Sequence, residues 1–252
     1  MQNLTYSIII PAYNESARLP ASLEAIQAFI SEQHLRAEIL VVNDGSTDDT
    51  AEVVRRCASS NGAVRLLDNP GNHGKGYSVR NGMMNAAGDV LLFTDADLSS
   101  PITEAPKLFA AIQQGADVAI GSRWLDSDTQ TQRQPFYRQL LGRLFNFTLQ
   151  AILGLHFKDT QCGFKAFTRS AARQLFPFQR VDTWGFDPEL LFIAKKFTLR
   201  VTEVPVEWAH EHGSKLRVLR DGAAMLGQML AIRWNDLCGR YERAARRVAA
   251  SR

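Results

Sequence analysis

Cysteine is scarce. Cys57, Cys162 and Cys238 stand far apart in a chain of 252 residues. Three such residues build neither a disulfide framework nor a four-ligand zinc site, and they suit a reducing cytoplasm. His73, His156, His210 and His212 form no zinc spacing with them. No apolar run approaches the ~20 residues that span a bilayer. The first strand pattern begins within a few residues of Met1, so no secretory signal is expected. Neither a GxGxxG turn after the first strand nor a GxxxxGK[ST] phosphate loop is present, and no internal repeat or low-complexity tract divides the chain.

What remains is 45% hydrophobic and 22% charged, enough for one substantial core. The net charge of +3 is unevenly spread. Residues 216–252 hold eight arginines against Asp221, Asp236 and Glu242, a local balance of +5 that leaves −2 for the rest. Such a segment either meets an anionic surface, membrane or nucleic acid, or is simply solvated.

Short β-rich runs alternate with helical periods through the first 120 residues. Strands are expected at Tyr6–Ile10, Glu38–Val42, Val64–Leu67, Val90–Phe93 and Val118–Ile120, with helices between them. That alternation predicts an α/β fold with a mostly parallel, doubly wound sheet, whose ligands sit beyond the carboxyl ends of the strands. The loops at 11–15, 43–47 and 94–98 should therefore meet in one crevice. Residues 126–135 read as a polar loop, and helical periodicity returns at Arg138–Leu153. A strand pattern covers Val201–Trp208, and a last helix is expected from about Asp221 to Arg247.

Asp95 and Asp97 follow the apolar run at 90–93 directly. Buried carboxylates need compensation, and two oxygen donors at a strand end suit a hard cation such as Mg²⁺ or Mn²⁺, though both can equally serve loop and cap hydrogen bonds. Asp44, in NDGSTDDT at 43–50, is not needed as a cap and can accept from a base or ribose. Gly71, Gly74, Lys75 and Gly76 precede a helix whose first amides, with the lysine, can face a diphosphate; a glycine turn with a surface lysine is the plainer use. Lys165 and Lys215 can add positive charge near phosphates or be solvated. Trp184 and Trp208 suit a core better than a sugar site.

In combination these stretches are specific. SIIIPAYNE at 7–15, VVNDGSTDDT at 41–50, NHGKGYSVRNGM at 72–83 and FTDADLSSP at 93–101 resemble, in order and spacing, the family 2 inverting glycosyltransferases of GT-A fold. GSRW at 121–124, DTQCGFK at 159–165, WGFDPELL at 184–191 and EVPVEWAHEHGSK at 203–215 narrow the likeness to dolichyl-phosphate or polyprenyl-phosphate β-glucosyltransferases.

That resemblance implies a base and ribose pocket lined by Pro11, Tyr13, Glu15 and Asp44, with Lys75 nearby, and a Mg²⁺ or Mn²⁺ ion held by Asp95 and Asp97. It implies acceptor-phosphate contacts by Arg123 and Arg138, and acceptor-side or catalytic parts for Asp159 and Asp187. The implied reaction is hexose transfer, from UDP-glucose before other donors, to a polyprenyl phosphate. The alternative is transfer to a saccharide hydroxyl in polysaccharide or cell-envelope synthesis. Eukaryotic members carry an amino-terminal anchor with no counterpart here, so membrane contact is expected from elsewhere. Residues 1–215 read as the catalytic domain. Residues 216–252 read as a basic amphipathic helix and tail that touches the cytoplasmic face of a membrane or packs on the domain. No nucleic-acid motif accompanies the arginines, so no nucleic-acid partner is expected.

Overall fold

The computed structural model describes residues 5–125, 147–208 and 218–241. In chain order the elements are β1 (Thr5–Ala12), α1 (Leu19–Glu32), β2 (Arg36–Asn43), α2 (Thr50–Ser60), β3 (Val64–Asp68), α3 (Lys75–Asn85) and β4 (Val90–Thr94). After these come α4 (Ala105–Gln113), β5 (Val118–Ser122), β6 (Phe164–Thr168), α5 (Arg169–Leu175), α6 (Phe186–Lys196), β7 (Val201–Pro205) and α7 (Val218–Leu237). Residues 147–153, the described part of the periodic stretch before β6, are helical.

Seven strands form one sheet in the order β3-β2-β1-β4-β6-β5-β7. Only β6 runs against its neighbours, pairing Phe93 with Lys165 on one side and Ile120 with Lys165 on the other. Its amino end therefore lies at the carboxyl ends of the parallel strands. Stretches such as Ile8–Ile10, Leu40–Val42 and Val90–Phe93 are apolar at successive positions because helices cover both faces of the sheet. Ile8, Ile10, Val41 and Leu92 face α1, α2 and α4. Ile9, Val42, Leu91 and Phe93 face α3, α5, α6 and α7. In α1 the stripe Leu19, Leu23, Ile26 and Phe29 has the helical spacing that such a contact requires.

The last helix is shorter than its periodicity predicts. Arg240 N donates to Asn235 O at 3.0 Å and Gly239 N to Asp236 O at 2.8 Å, the paired bonds of a Schellman stop, with Gly239 left-handed at φ 67°. The stop turns Tyr241 back into the core, where it meets Phe192. Its hydroxyl donates to Glu189 Oε1 at 2.6 Å. Glu189, with no exposed surface, also accepts from the Val181 amide at 2.8 Å and the Arg180 amide at 3.0 Å. Burial pushes its carboxyl above the usual range, and these donors oppose the rise. Residues 242–247 of the expected helix lie outside the described residues.

Tyr241→Phe removes a hydrogen bond to a buried carboxylate, a loss of about 1.5–3 kcal/mol. A fall in melting temperature of roughly 3–12 °C is expected by scanning calorimetry. An unchanged melting temperature would show that this bond does not hold the carboxyl-terminal segment.

Candidate functional site

The three loops predicted to meet do so, through identifiable bonds. Asn14 is left-handed at φ 54°, which turns the loop after β1 toward the loop after β2. Its amide donates to Ser46 Oγ at 3.0 Å, and its side-chain carbonyl accepts from the Thr47 amide at 2.8 Å. Glu15 N donates to Thr50 Oγ1 and Ser16 N to Asp48 Oδ2. Slight desolvation raises the Asp48 carboxyl, but the Ser16 and Thr50 donors outweigh it and hold the pKa at about 2. Arg18 reaches Glu15 at 3.3 Å and Asp97 at 4.0 Å, while Ser22 Oγ donates to Ala96 O at 2.6 Å. The first and fourth strand ends are tied together in this way.

Asp44 sits at the end of β2 and is nearly buried. Its Oδ1 accepts from His73 N at 3.1 Å and Asn69 Nδ2 at 2.8 Å, and its Oδ2 from Gly74 N at 2.8 Å. Around the start of α3 the His73 and Gly74 amides are thus turned to Asp44, and Tyr77 N donates to Asp182 O. Lys75 is left to meet an anion. Gly74, at φ 101°, lies so close to the 181–183 segment that a Cβ there would stand 2.6 Å from Asp182 O.

Lys75 Nζ lies 2.6 Å from Asp95 Oδ1, 5.0 Å from the Trp184 ring centroid and 5.3 Å from that of Phe93. Burial depresses its ammonium, but Asp95, Asp187 and Asp97 more than offset this, so its pKa is raised. Asp97 Oδ1 accepts from Ser99 N at 3.0 Å. The side chains of Asp95 and Asp97 remain 33% and 27% exposed, which leaves both open to a ligand. Among the described residues no three His, Cys, Asp or Glu side chains gather to hold a metal. These two carboxylates fit a hard cation only if substrate oxygens and water supply the other ligands. Gly163, before β6, leaves room for Asp95: a Cβ on it would fall 2.2 Å from Asp95 Oδ2 and force that carboxylate to shift.

Arg123, after β5, forks onto Asp159 with Nε–Oδ2 at 2.6 Å and Nη2–Oδ1 at 2.9 Å, and its amide also donates to Oδ2. Asp159 is 2% exposed. Burial lifts its carboxyl, yet Arg123 overrides this and holds it below the usual range. Asp187, in the first turn of α6, accepts from Lys165 Nζ at 2.6 Å. Lys165 is fully buried, so neither the solvated use nor a direct phosphate contact applies. Burial pushes the Asp187 carboxyl up, with Lys165 and Lys75 opposing. Cys162 is buried and its thiol is pushed up to about 11 by burial and then by Asp159, which favours the neutral thiol over the thiolate.

Pro11, Tyr13, Glu15, Asp44, Lys75, Asp95, Asp97, Arg123, Asp159 and Asp187 are thus all at one edge of the sheet. Arg138 lies outside the described residues, as do His210, His212 and Lys215. Trp184 is 41% exposed and stands over Lys75 rather than in the core. Sequence reading missed Arg18, the close approach at Gly163, and Gln228 of α7. Gln228 accepts from Gly185 N at 3.0 Å and donates to Thr183 Oγ1 at 2.6 Å, bracketing Trp184. Nothing in a local motif signals such a distant contact.

The profile of Glycosyl transferase family 2 matches residues 7–176. A dolichyl-phosphate beta-glucosyltransferase of Trichomonas vaginalis is 41% identical over 224 residues, which cover 84% of this chain and 66% of that protein. The dolichyl-phosphate beta-glucosyltransferase of Homo sapiens is 33% identical over 249 residues, covering 93% of this chain and 76% of its own length. The crystal structure of glucosyl-3-phosphoglycerate synthase from Mycobacterium tuberculosis in complex with Mn²⁺ and UDP-glucose matches with a TM-score of 0.65 at 22% identity. That match covers 94% of this chain and 79% of the other, and it speaks for a GT-A fold.

Arg123→Ala strands Asp159 without its cation. A loss of about 3–5 kcal/mol is expected, read as a shifted denaturant midpoint. Wild-type stability in that variant would show that Arg123 is not the structural partner of Asp159.

Proposed function

The chain belongs to glycosyl transferase family 2, and from that premise we propose that it transfers glucose from UDP-glucose to a polyprenyl phosphate with inversion at the anomeric carbon. The observation that carries the proposal is the Lys75–Asp95 contact beside Asp97, at the point where the loops after β1, β2 and β4 meet. The names of the relatives support glucose and a dolichyl-type acceptor. The Mn²⁺ and UDP-glucose of the mycobacterial neighbour are consistent with the donor and with a divalent ion.

In this reading Pro11, Tyr13, Glu15 and Asp44 border the uridine, and Asp95 and Asp97 are the residues that would hold Mg²⁺ or Mn²⁺. When bound, the ion supplies charge stabilisation on the leaving group. Lys75 adds a second positive charge there, and displacement of its ammonium from Asp95 toward the diphosphate oxygens is a short movement of a flexible side chain. A phosphate oxygen of the acceptor attacks the anomeric carbon as the bond to the diphosphate breaks. An α-linked donor then yields a β-linked product.

The acceptor needs no general base, because a phosphate monoester with a second pKa of about 6 is largely dianionic at neutral pH. This agrees with the state of the acceptor-side carboxylates: Asp159 and Asp187 are each paired with a cation at 2.6 Å, which suits orientation better than proton transfer. Arg123 contributes positive charge at the rim, over Trp208. Arg138 is proposed as a further acceptor contact. With a lipid acceptor the protein works at a membrane surface, on its cytoplasmic face. No described helix is long and apolar enough to cross a membrane.

The test is transfer of radiolabelled sugar from UDP-glucose, GDP-mannose and UDP-GlcNAc into a short polyprenyl phosphate, with Mg²⁺ or Mn²⁺ and with EDTA. Labelling of lipid from UDP-glucose, abolished by EDTA, is expected; labelling of a saccharide hydroxyl instead overturns the acceptor. Asp97→Asn is expected to lower kcat by about 10²-fold or more with the fold intact by circular dichroism. Full activity of that variant in the presence of chelator removes the metal from the reaction.

A further inference from the structure

Helix α7 carries two apolar faces. Met225, Met229 and Ile232 turn inward and are buried, whereas Leu230, Trp234 and Leu237 are 62%, 65% and 81% exposed. Their spacing of four and three residues places these three in one row. Only seven large hydrophobic side chains are exposed among the described residues, and three of them fall in this row of eight positions. In the sequence Leu226, Met229, Leu230, Trp234, Leu237 and Tyr241 read as one stripe at 3/4 spacing, and the packing divides it: Met229 and Tyr241 are buried, whereas Leu230, Trp234 and Leu237 are exposed.

The surroundings of the row are basic. Arg233 lies between Leu230 and Trp234 with its side chain 48% exposed, and Arg240 follows the helix. The neighbouring acid, Asp236, is 10% exposed and shared between Lys196 at 2.9 Å and Arg233 at 3.8 Å, so one shielded acid faces two cations and the local balance stays positive. Beyond the helix the sequence adds Arg243, Arg246, Arg247 and Arg252 against Glu242 alone.

We propose that the Leu230–Trp234–Leu237 row of α7, with Arg233 and Arg240, is the surface by which the protein docks on an anionic lipid bilayer. The inference rests on the reading that the acceptor is a lipid phosphate, and it names the part of the molecule that meets the lipid. Leucine and tryptophan enter the boundary between headgroups and acyl chains, and each arginine near a negative surface adds electrostatic attraction. A second copy of the chain fits less well. Three side chains are a small part of the ~800 Å² per partner of a stable protein pair, and symmetric pairing would bring two arginine rims together. The docked helix is also tied to the site, since Gln228 on α7 brackets Trp184, which stands over Lys75. Through Gln228, on the side of α7 turned toward the protein, the helix that carries the row is joined to the segment that holds Trp184.

The experiment uses the full chain and a variant with Leu230→Gln, Trp234→Gln and Leu237→Gln. Both are sedimented with phosphatidylcholine vesicles, with and without about 30% phosphatidylglycerol. The wild-type chain is expected to bind the anionic vesicles at least about tenfold more tightly than the variant, and less tightly as salt rises. Melting temperature and UDP-glucose binding are expected to be shared by the two. Transfer to polyprenyl phosphate embedded in vesicles should fall about tenfold or more in the variant, while transfer to a short, water-soluble prenyl phosphate is retained. Equal vesicle binding by the two chains overturns the proposal, as does a wild-type dimer that the substitutions convert to a monomer. Vesicle binding that is lost in the variant, with no lipid labelled by either chain, upholds the surface and overturns the acceptor reading instead.

Discussion

The buried ion pair between Lys165 and Asp187 is the contact on which the two halves of this molecule depend. Lys165 lies on the one strand that runs against the sheet, and it has no exposed surface. A buried ammonium is tolerable only with a close partner, and removal of that partner costs about 3–5 kcal/mol. The partner, Asp187, comes from the first turn of α6, so the pair fixes β6 and α6 relative to each other at the edge where the other strands end. From that position Asp187 also faces Lys75 and Asp95.

Much of the charge at this edge is organised in the same way, in pairs held at 2.6 Å: Lys75 with Asp95, Arg123 with Asp159, and Lys165 with Asp187. The pairs differ in exposure, and exposure divides their work. Asp159 and the Lys165–Asp187 pair are shielded from solvent and act as fixed supports. Lys75 and Asp95 are partly open, and in the proposed reading they are the pair that would exchange partners with a diphosphate and a cation. In such a site the shielded pairs keep their geometry while the open pair responds, which is the preorganisation that a charged leaving group requires.

The carboxyl-terminal helix extends this division outward. Its inner face supplies Met229, Ile232 and the Gln228 bracket around Trp184, and the turn after it buries Tyr241 against Glu189. Its outer face exposes leucine and tryptophan among arginines. One helix therefore connects the loop over Lys75 to the surface assigned to lipid.

The sequence by itself determined the alternation of strands and helices, because runs such as Ile8–Ile10 and Val90–Phe93 are apolar at every position only when both faces of a strand are covered. It also determined the edge at which Asp44, Asp95 and Asp97 gather, since residues that follow parallel strands must emerge on one side of the sheet. Tertiary structure alone decided the partners. Asp44 holds the start of α3, Arg123 and Asp159 close on each other, and Lys165 is buried rather than solvated; each contact joins residues 22 to 36 positions apart. The same holds for α7, where one apolar stripe became two faces. Local periodicity reports that a helix has apolar sides, but which side is covered depends on what the rest of the chain packs against it.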